Sequence, residues 1–217
     1  MSHAYTEPSR SMLLFYRFVY DPLRSRQLRR LVASLGLDGS ERVLVFGSGA
    51  GSEATYVAAA LKRGGRVTCL DISTVWLAEA QRRLRRHPNV DFVLGEAPLV
   101  GLVPASFDLV LAHYAIHDVD RSALPATLTA LAGALKTGGR FVVVEPAGGS
   151  HIQHAQSPDE LRDYMAAAGM DEVSREEVAS LPGGANRSVF TKRGERREPG
   201  QWPSAGLTAA WAYQSTN

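Results

Sequence analysis

The chain contains one cysteine, Cys69, so it can close no internal disulfide and build no cysteine metal cage. Placed inside a β-branched run, that cysteine reads as a small core residue. Lysine is also scarce: only Lys62, Lys136 and Lys192 occur, and arginine supplies the rest of the 24 basic residues. With the many alanines, this points to a GC-rich coding sequence and carries no function. Neither charge sign is in excess, because 24 basic and 22 acidic residues leave a net charge of +2. Bulk charge therefore gives no reason to expect a nucleic-acid or anionic-membrane partner. No segment approaches the roughly 18 apolar residues of a membrane helix. The apolar stretch Met12 to Tyr20 is interrupted by Arg17 and lacks a small-residue cleavage site, so it is not a signal peptide. The expected location is the cytoplasm. Repeats are lacking as well.

The 217 residues suit one α/β domain with small additions. Short apolar runs predict strands at Arg42–Phe46, Arg66–Leu70, Val90–Leu94, Phe107–Ala112, Arg140–Glu145, Met170–Glu177 and Ser188–Lys192. Between them, amphipathic spacing predicts helices at Ser52–Arg63, Thr74–Arg86, Ser122–Lys136 and Pro158–Ala168. This alternation implies parallel crossovers and a doubly wound, Rossmann-like sheet of seven mostly parallel strands, with helices on both faces. The last two strands have no long helix between them and should form an antiparallel edge hairpin. Ahead of the sheet, Ser11–Tyr20 and Pro22–Leu35 read as two helices broken at Tyr20-Asp21, a helical lid within residues 1–37. Residues 38–193 form the main domain, and 194–217, Ser-, Gly- and Ala-rich, are expected to be a mobile tail, with Trp202 and Trp211 as possible docking points.

The most informative stretch is Arg42-Val43-Leu44-Val45-Phe46-Gly47-Ser48-Gly49-Ala50-Gly51, followed by the helical opening Ser52-Glu53-Ala54. A strand feeding a glycine-rich turn and then a helix brings backbone N–H groups close to a ligand. Twenty residues after Gly51 the second strand ends on Asp71, where a carboxylate can accept from both ribose hydroxyls. Together these features imply a nucleoside-bearing cofactor.

Further motifs recur in step. The third strand is followed by Gly95-Glu96-Ala97. The fourth runs from Ala105-Ser106-Phe107-Asp108-Leu109-Val110 to Ala112-His113-Tyr114. The fifth follows Leu135-Lys136-Thr137-Gly138-Gly139-Arg140-Phe141 and ends at Glu145-Pro146. This ordered set resembles the class I S-adenosylmethionine-dependent methyltransferases of small-molecule type, over about Ser40 to Lys192. The resemblance implies S-adenosyl-L-methionine as cofactor. It places Phe46, Gly47, Ser48, Gly49 and Gly51 around the methionine part, Asp71 and Ile72 at the ribose, Glu96 and Ala97 at the adenine, and His113 beside the cofactor. Tyr20-Asp21 is similar to the Tyr-Asp that opens many such enzymes, where the tyrosine closes over the cofactor. One position departs: the family carries an acid two residues before the first glycine, and this chain has Val45.

The resemblance implies methyl transfer to a small-molecule acceptor by in-line displacement, with O, N or C as the accepting atom. Positioning and desolvation carry most of such a reaction, and a general base is needed only where the acceptor must lose a proton. His113 and His117, in His113-Tyr114-Ala115-Ile116-His117-Asp118, are the candidates for that base. His151 and His154 could line the same mouth. No metal ligand set is assigned, because the histidine spacing does not establish one. Two alternatives stay open. Val45 is compatible with a catalytically degenerate cofactor-binding or scaffolding protein. A nicotinamide-dependent oxidoreductase is disfavoured by Ser52, which stands where Gly-x-Gly-x-x-Gly requires its last glycine.

Overall fold

The computed structural model describes residues 8–147, 156–180 and 183–194. The expectations placed on His151, His154, Trp202 and Trp211 lie outside the described residues.

Helix α1 (Arg10–Phe15) begins at a Ser9 cap and passes through a π-helical turn (Tyr16–Tyr20) into α2 (Asp21–Ser34). The expected break at Tyr20-Asp21 is absent. Tyr20 sits at φ −67°, ψ −49° and Asp21 at φ −67°, ψ −44°, both helical. The N–H of Asp21 reaches back to the carbonyl of Tyr16. That wider turn relieves the carbonyl of Phe18, against which the ring of Pro22 would press in a regular helix.

The order then runs β1 (Arg42–Phe46), α3 (Ser52–Ala60), β2 (Arg66–Asp71), α4 (Thr74–Leu84), β3 (Val90–Leu94), β4 (Phe107–His113), a short 3₁₀ turn (Ile116–Asp118), α5 (Leu124–Ala134), β5 (Leu135–Pro146), α6 (Pro158–Ala167), β6 (Met170–Ser180) and β7 (Gly183–Lys192). The seven strands lie in the order β3-β2-β1-β4-β5-β7-β6. β1 to β5 are mutually parallel, and β7 runs antiparallel between β5 and β6. The expected doubly wound sheet with an antiparallel edge hairpin is therefore present.

Alternate side chains of β1 serve different faces. Leu44 packs with Leu128, Leu131, Phe141 and Met165 from the α5–α6 side. Val43 and Val45 pack with Val32, Val57, Leu77 and Leu84 from α2, α3 and α4. Cys69 is fully buried there, and burial pushes its thiol up to about 12. No described helix is long and apolar enough to cross a membrane.

Several boundaries fall earlier than periodicity predicts, because tertiary partners take over the last carbonyls. α3 stops at Ala60 rather than Arg63, where the Asn89 amide donates to the carbonyls of Ala58 and Leu61 at 3.0 and 3.3 Å. α5 stops at Ala134 rather than Lys136, because the N–H groups of Ala105 and Ser106 donate to Gly133 and Ala134 at 3.1 and 2.9 Å. β5 accordingly starts at Leu135.

Strand order reverses between β1 and β4, whose carboxyl ends, Phe46 and His113, flank the opening. Open parallel sheets bind their ligands at such a point.

Candidate functional site

The turn after β1 is built from left-handed glycines, with φ of +62° at Gly47, +50° at Gly49 and +75° at Gly51. Each suits a residue without a Cβ. At Gly47 a Cβ would also come within 2.5 Å of the Ala115 Cβ, so the turn presses on the segment after β4. At Gly51 it would meet Leu84 at 2.9 Å. At Gly49 it would meet nothing within 4 Å, so that backbone faces open space.

Asp71, at the end of β2, locks this turn. Its Oδ2 accepts from the Gly49 N–H at 2.7 Å, and its Oδ1 accepts from the Ser73 N–H at 2.9 Å. Burial raises its carboxyl above the ordinary range, and the backbone donors offset that only in part. The Ser48 N–H also donates to the Leu70 carbonyl at 3.1 Å. Ile72 is half-buried beside Asp71, Glu96 is exposed just beyond β3, and Ala97 is buried behind it. These residues and Phe46 follow the carboxyl ends of β1, β2 and β3, one strand after another. An open glycine backbone beside a buried carboxylate suits an adenosyl ligand with a ribose diol.

A second group lies beneath the turn. His113 Nδ1 is 2.6 Å from Glu53 Oε1, and its Nε2 is 3.1 Å from the Arg24 guanidinium. A guanidinium only donates, so Nε2 is the acceptor and Nδ1 carries the proton given to Glu53. Burial would raise the Glu53 carboxyl; His113 and the Arg24 charge outweigh burial and hold it below the usual range. Arg24 is only 4% exposed, lies 4.8 Å from the Tyr20 ring centre and 5.2 Å from that of Tyr114, and has an Nε with no partner. Tyr20 sits at the end of the π-helical turn, 4.7 Å from Tyr16 between ring centres. Tyr114 holds a left-handed φ of +54°, stacks on His113 at 4.5 Å and hydrogen-bonds Ser180. Such backbone strain in a bulky residue collects at functional sites.

The third group is built on β5 and the 3₁₀ turn. Glu145 Oε1 accepts from the N–H groups of Ala115 and Ile116 at 3.1 and 2.8 Å, while its Oε2 pairs with His117 Nδ1. His117 Nε2 lies 3.7 Å from Asp118. Burial would lower the His117 imidazole, but Glu145 and then Asp118 outweigh it, and the net shift is upward from 6.5. The structure thus brings Gly47–Gly51, Asp71, His113 and His117 to one end of the sheet. Among the described residues no cluster of three His, Cys, Asp or Glu side chains could hold a metal.

Sequence reasoning missed Arg24, Glu53 and the roles of Tyr114 and Glu145. One signal was available for Arg24. It shares the buried stripe of α2 with Leu28 and Val32, where the helical period calls for an apolar residue. Glu53 had no such signal, since an acid in a first helical turn suits the helix dipole anyway.

Comparison with known proteins agrees with this geometry. A family model described as a methyltransferase domain matches residues 43–139. The demethylmenaquinone methyltransferase of Beutenbergia cavernae is 32% identical over 117 residues, 54% of this chain and 45% of that protein. A probable phthiotriol/phenolphthiotriol dimycocerosates methyltransferase of Mycobacterium ulcerans is 30% identical over 138 residues, 64% of this chain and 50% of that protein. The chain thus spans about half the length of the curated relatives it matches. In structure it is similar to an S-adenosylmethionine-dependent methyltransferase from Aquifex aeolicus, with a TM-score of 0.71 and 17% identity over 82% of this chain and 97% of that one. The matched stretch runs from β1 into β5 and includes the glycine turn locked by Asp71, and the chain shares its fold with an S-adenosylmethionine-dependent methyltransferase.

Proposed function

We propose that the protein is a methyltransferase that moves a methyl group from S-adenosyl-L-methionine to a small-molecule acceptor. The observation that carries this reading is the Asp71–Gly49 contact at 2.7 Å, which fixes a left-handed glycine backbone against a buried carboxylate. Gly47, Ser48, Gly49 and Gly51 would hold the methionine part, Asp71 and Ile72 the ribose, and Glu96 with Ala97 the adenine. Phe46, Tyr20 and His113 would flank the ligand. When bound, the cofactor supplies a methyl group on a sulfonium leaving group that is already activated.

This chain's own contribution is to orient, exclude water and accept a proton. Glu145 fixes the Nδ1–H of His117 and leaves Nε2 to take a proton from the acceptor, the arrangement general-base chemistry needs. His113 has both ring nitrogens engaged, by Glu53 and Arg24, and serves better as a rigid wall. Relatives are named for demethylmenaquinone and for phthiotriol/phenolphthiotriol dimycocerosates, which supports a small-molecule acceptor.

Calorimetric titration with S-adenosylhomocysteine tests the reading. Saturable binding that collapses in Asp71→Ala is expected. No heat or melting-point response at millimolar ligand, or tighter binding of NADH, would overturn it.

A further inference from the structure

A cleft of about 540 Å³ opens between the N-terminal helical segment, α3 and the end of α4, with Ser52, the first residue after the glycine turn, in its lining. Its walls are the N-terminal helical segment around Arg17 and Asp21, the outer side of α3 at Tyr56, and the end of α4. Five arginines line it: Arg17, Arg82, Arg83, Arg85 and Arg86. Cations in the last turn of α4 suit its dipole, and that accounts for a charged helix end. It does not account for Arg17, which belongs to a different element and converges on the same space.

The charges are not balanced from within. Arg82 pairs with Glu79, and Arg83 pairs with Asp21 while donating to Ser52 at 3.0 Å. Asp21 is the only carboxylate in the lining and is thereby consumed. Among the described residues Arg17, Arg85 and Arg86 form no salt bridge, although Arg17 lies close enough to Glu79 to add to the lowering that Arg82 causes there, and all three are exposed to solvent. The net charge of +2 conceals this local excess. Like charges gathered in a concave wall focus their field on an incoming anion, and planar guanidinium forks match phosphate oxygens two at a time.

We infer that this cleft recognises a phosphate or diphosphate group, carried on a lipid headgroup or on a soluble molecule. Its lining shares no residue with the Gly47–Gly51 turn or with Asp71, and neither Arg17, Arg85 nor Arg86 takes part in the proposed methyl transfer. The same helical segment that carries Arg17 also exposes Leu14, Phe15, Phe18 and Val19, each more than half accessible. An apolar row beside a basic cleft suits an anionic amphiphile.

The test uses the full chain and the triple variant Arg17→Ala, Arg85→Ala, Arg86→Ala. Each is titrated with sodium diphosphate and sedimented with phosphatidylglycerol or phosphatidylcholine vesicles at matched ionic strength. Saturable diphosphate binding that weakens by roughly tenfold or more in the variant is expected for a soluble ligand, as charged hydrogen bonds are lost. Capture by phosphatidylglycerol vesicles alone, abolished in the variant, would assign the site to a lipid headgroup. Binding to neither probe, binding unchanged in the variant, or equal capture by phosphatidylcholine would overturn the inference. S-adenosylhomocysteine affinity should be the same in both proteins, and its loss in the variant would show that the two sites are one.

Discussion

Arg24 donates to Nε2 of His113 at 3.1 Å, joining α2 to the end of β4 across 89 residues of sequence. Because His113 also donates its Nδ1–H to Glu53, these two contacts fix α2, α3 and β4 together at the sheet's opening. The N-terminal helical segment is therefore tied to the candidate site by the buried Arg24–His113 contact, with the half-buried links from Asp21 to Ser52 at 2.8 Å and from Gln27 to Ser180 at 2.5 Å beside it.

Removing the cation should show the cost of that arrangement. Arg24→Met keeps the bulk but leaves Glu53 and His113 buried with one partner fewer. Breaking a buried charged contact from one side costs about 3 kcal/mol. Denaturant unfolding should register a loss of that order, and a midpoint equal to that of the wild type would refute it.

Val45 is 2% exposed and packed among Val57, Leu77 and Leu111, so the acid expected there by resemblance has no polar surroundings. Restoring it by Val45→Asp should destabilise the fold by about 2 kcal/mol or more without tightening S-adenosylhomocysteine. Glu53, buried in the first turn after the glycine loop, is expected to take that acid's part toward the amino-acid end of the ligand. Glu53→Gln should weaken S-adenosylhomocysteine more than 5′-methylthioadenosine, which lacks the amino-acid end. Equal weakening of both ligands would contradict that role.

The glycine turn permits a paired comparison. Gly47→Ala adds a Cβ that meets Ala115 at 2.5 Å, on top of a φ of +62°. Overpacking and strain together should cost about 2–4 kcal/mol of stability. Gly49→Ala has the same backbone penalty, about 1–2 kcal/mol, but no clash, because nothing lies within 4 Å. Its larger effect should fall on ligand affinity. Thermal melts and calorimetry separate the two, and identical behaviour would sink the distinction.

His117 supplies a pH dependence whose sign follows from its raised imidazole. The folded state holds the proton more tightly than the unfolded chain, whose value is 6.5. The stabilisation is thus fully present below that value and fades as pH rises through the elevated folded one. Relative to His117→Gln, the wild type should lose its advantage across that window. An NMR titration of the His117 ring should give a midpoint above 6.5. A midpoint below it would show that burial, not Glu145, dominates.

Much of the fold was legible from local pattern. β1 and β3 match their predicted spans, and Gly47–Gly51 with Asp71 form the turn that the spacing implied. The helix ends at Ala60 and Ala134 were not legible, because their last carbonyls are claimed by Asn89, Ala105 and Ser106 from other segments. The continuous helix through Pro22 was missed for a subtler reason. Proline signals a helix start, and here the π-helical turn ahead of Pro22 lets the helix run on without a break.

The sequence alone determined the alternation of strands and helices, the left-handed glycine turn and the acid that follows it. Each is a property of neighbouring residues, set by side-chain period and by which residues tolerate a positive φ. Tertiary structure alone decided that Arg24, Glu53 and His113 share a buried contact, that Glu145 orients His117, and that Arg17 joins the arginines of α4. Those partners are brought together only when the sheet closes its order, because hydrogen bonds and charges act through space between segments that no local pattern connects.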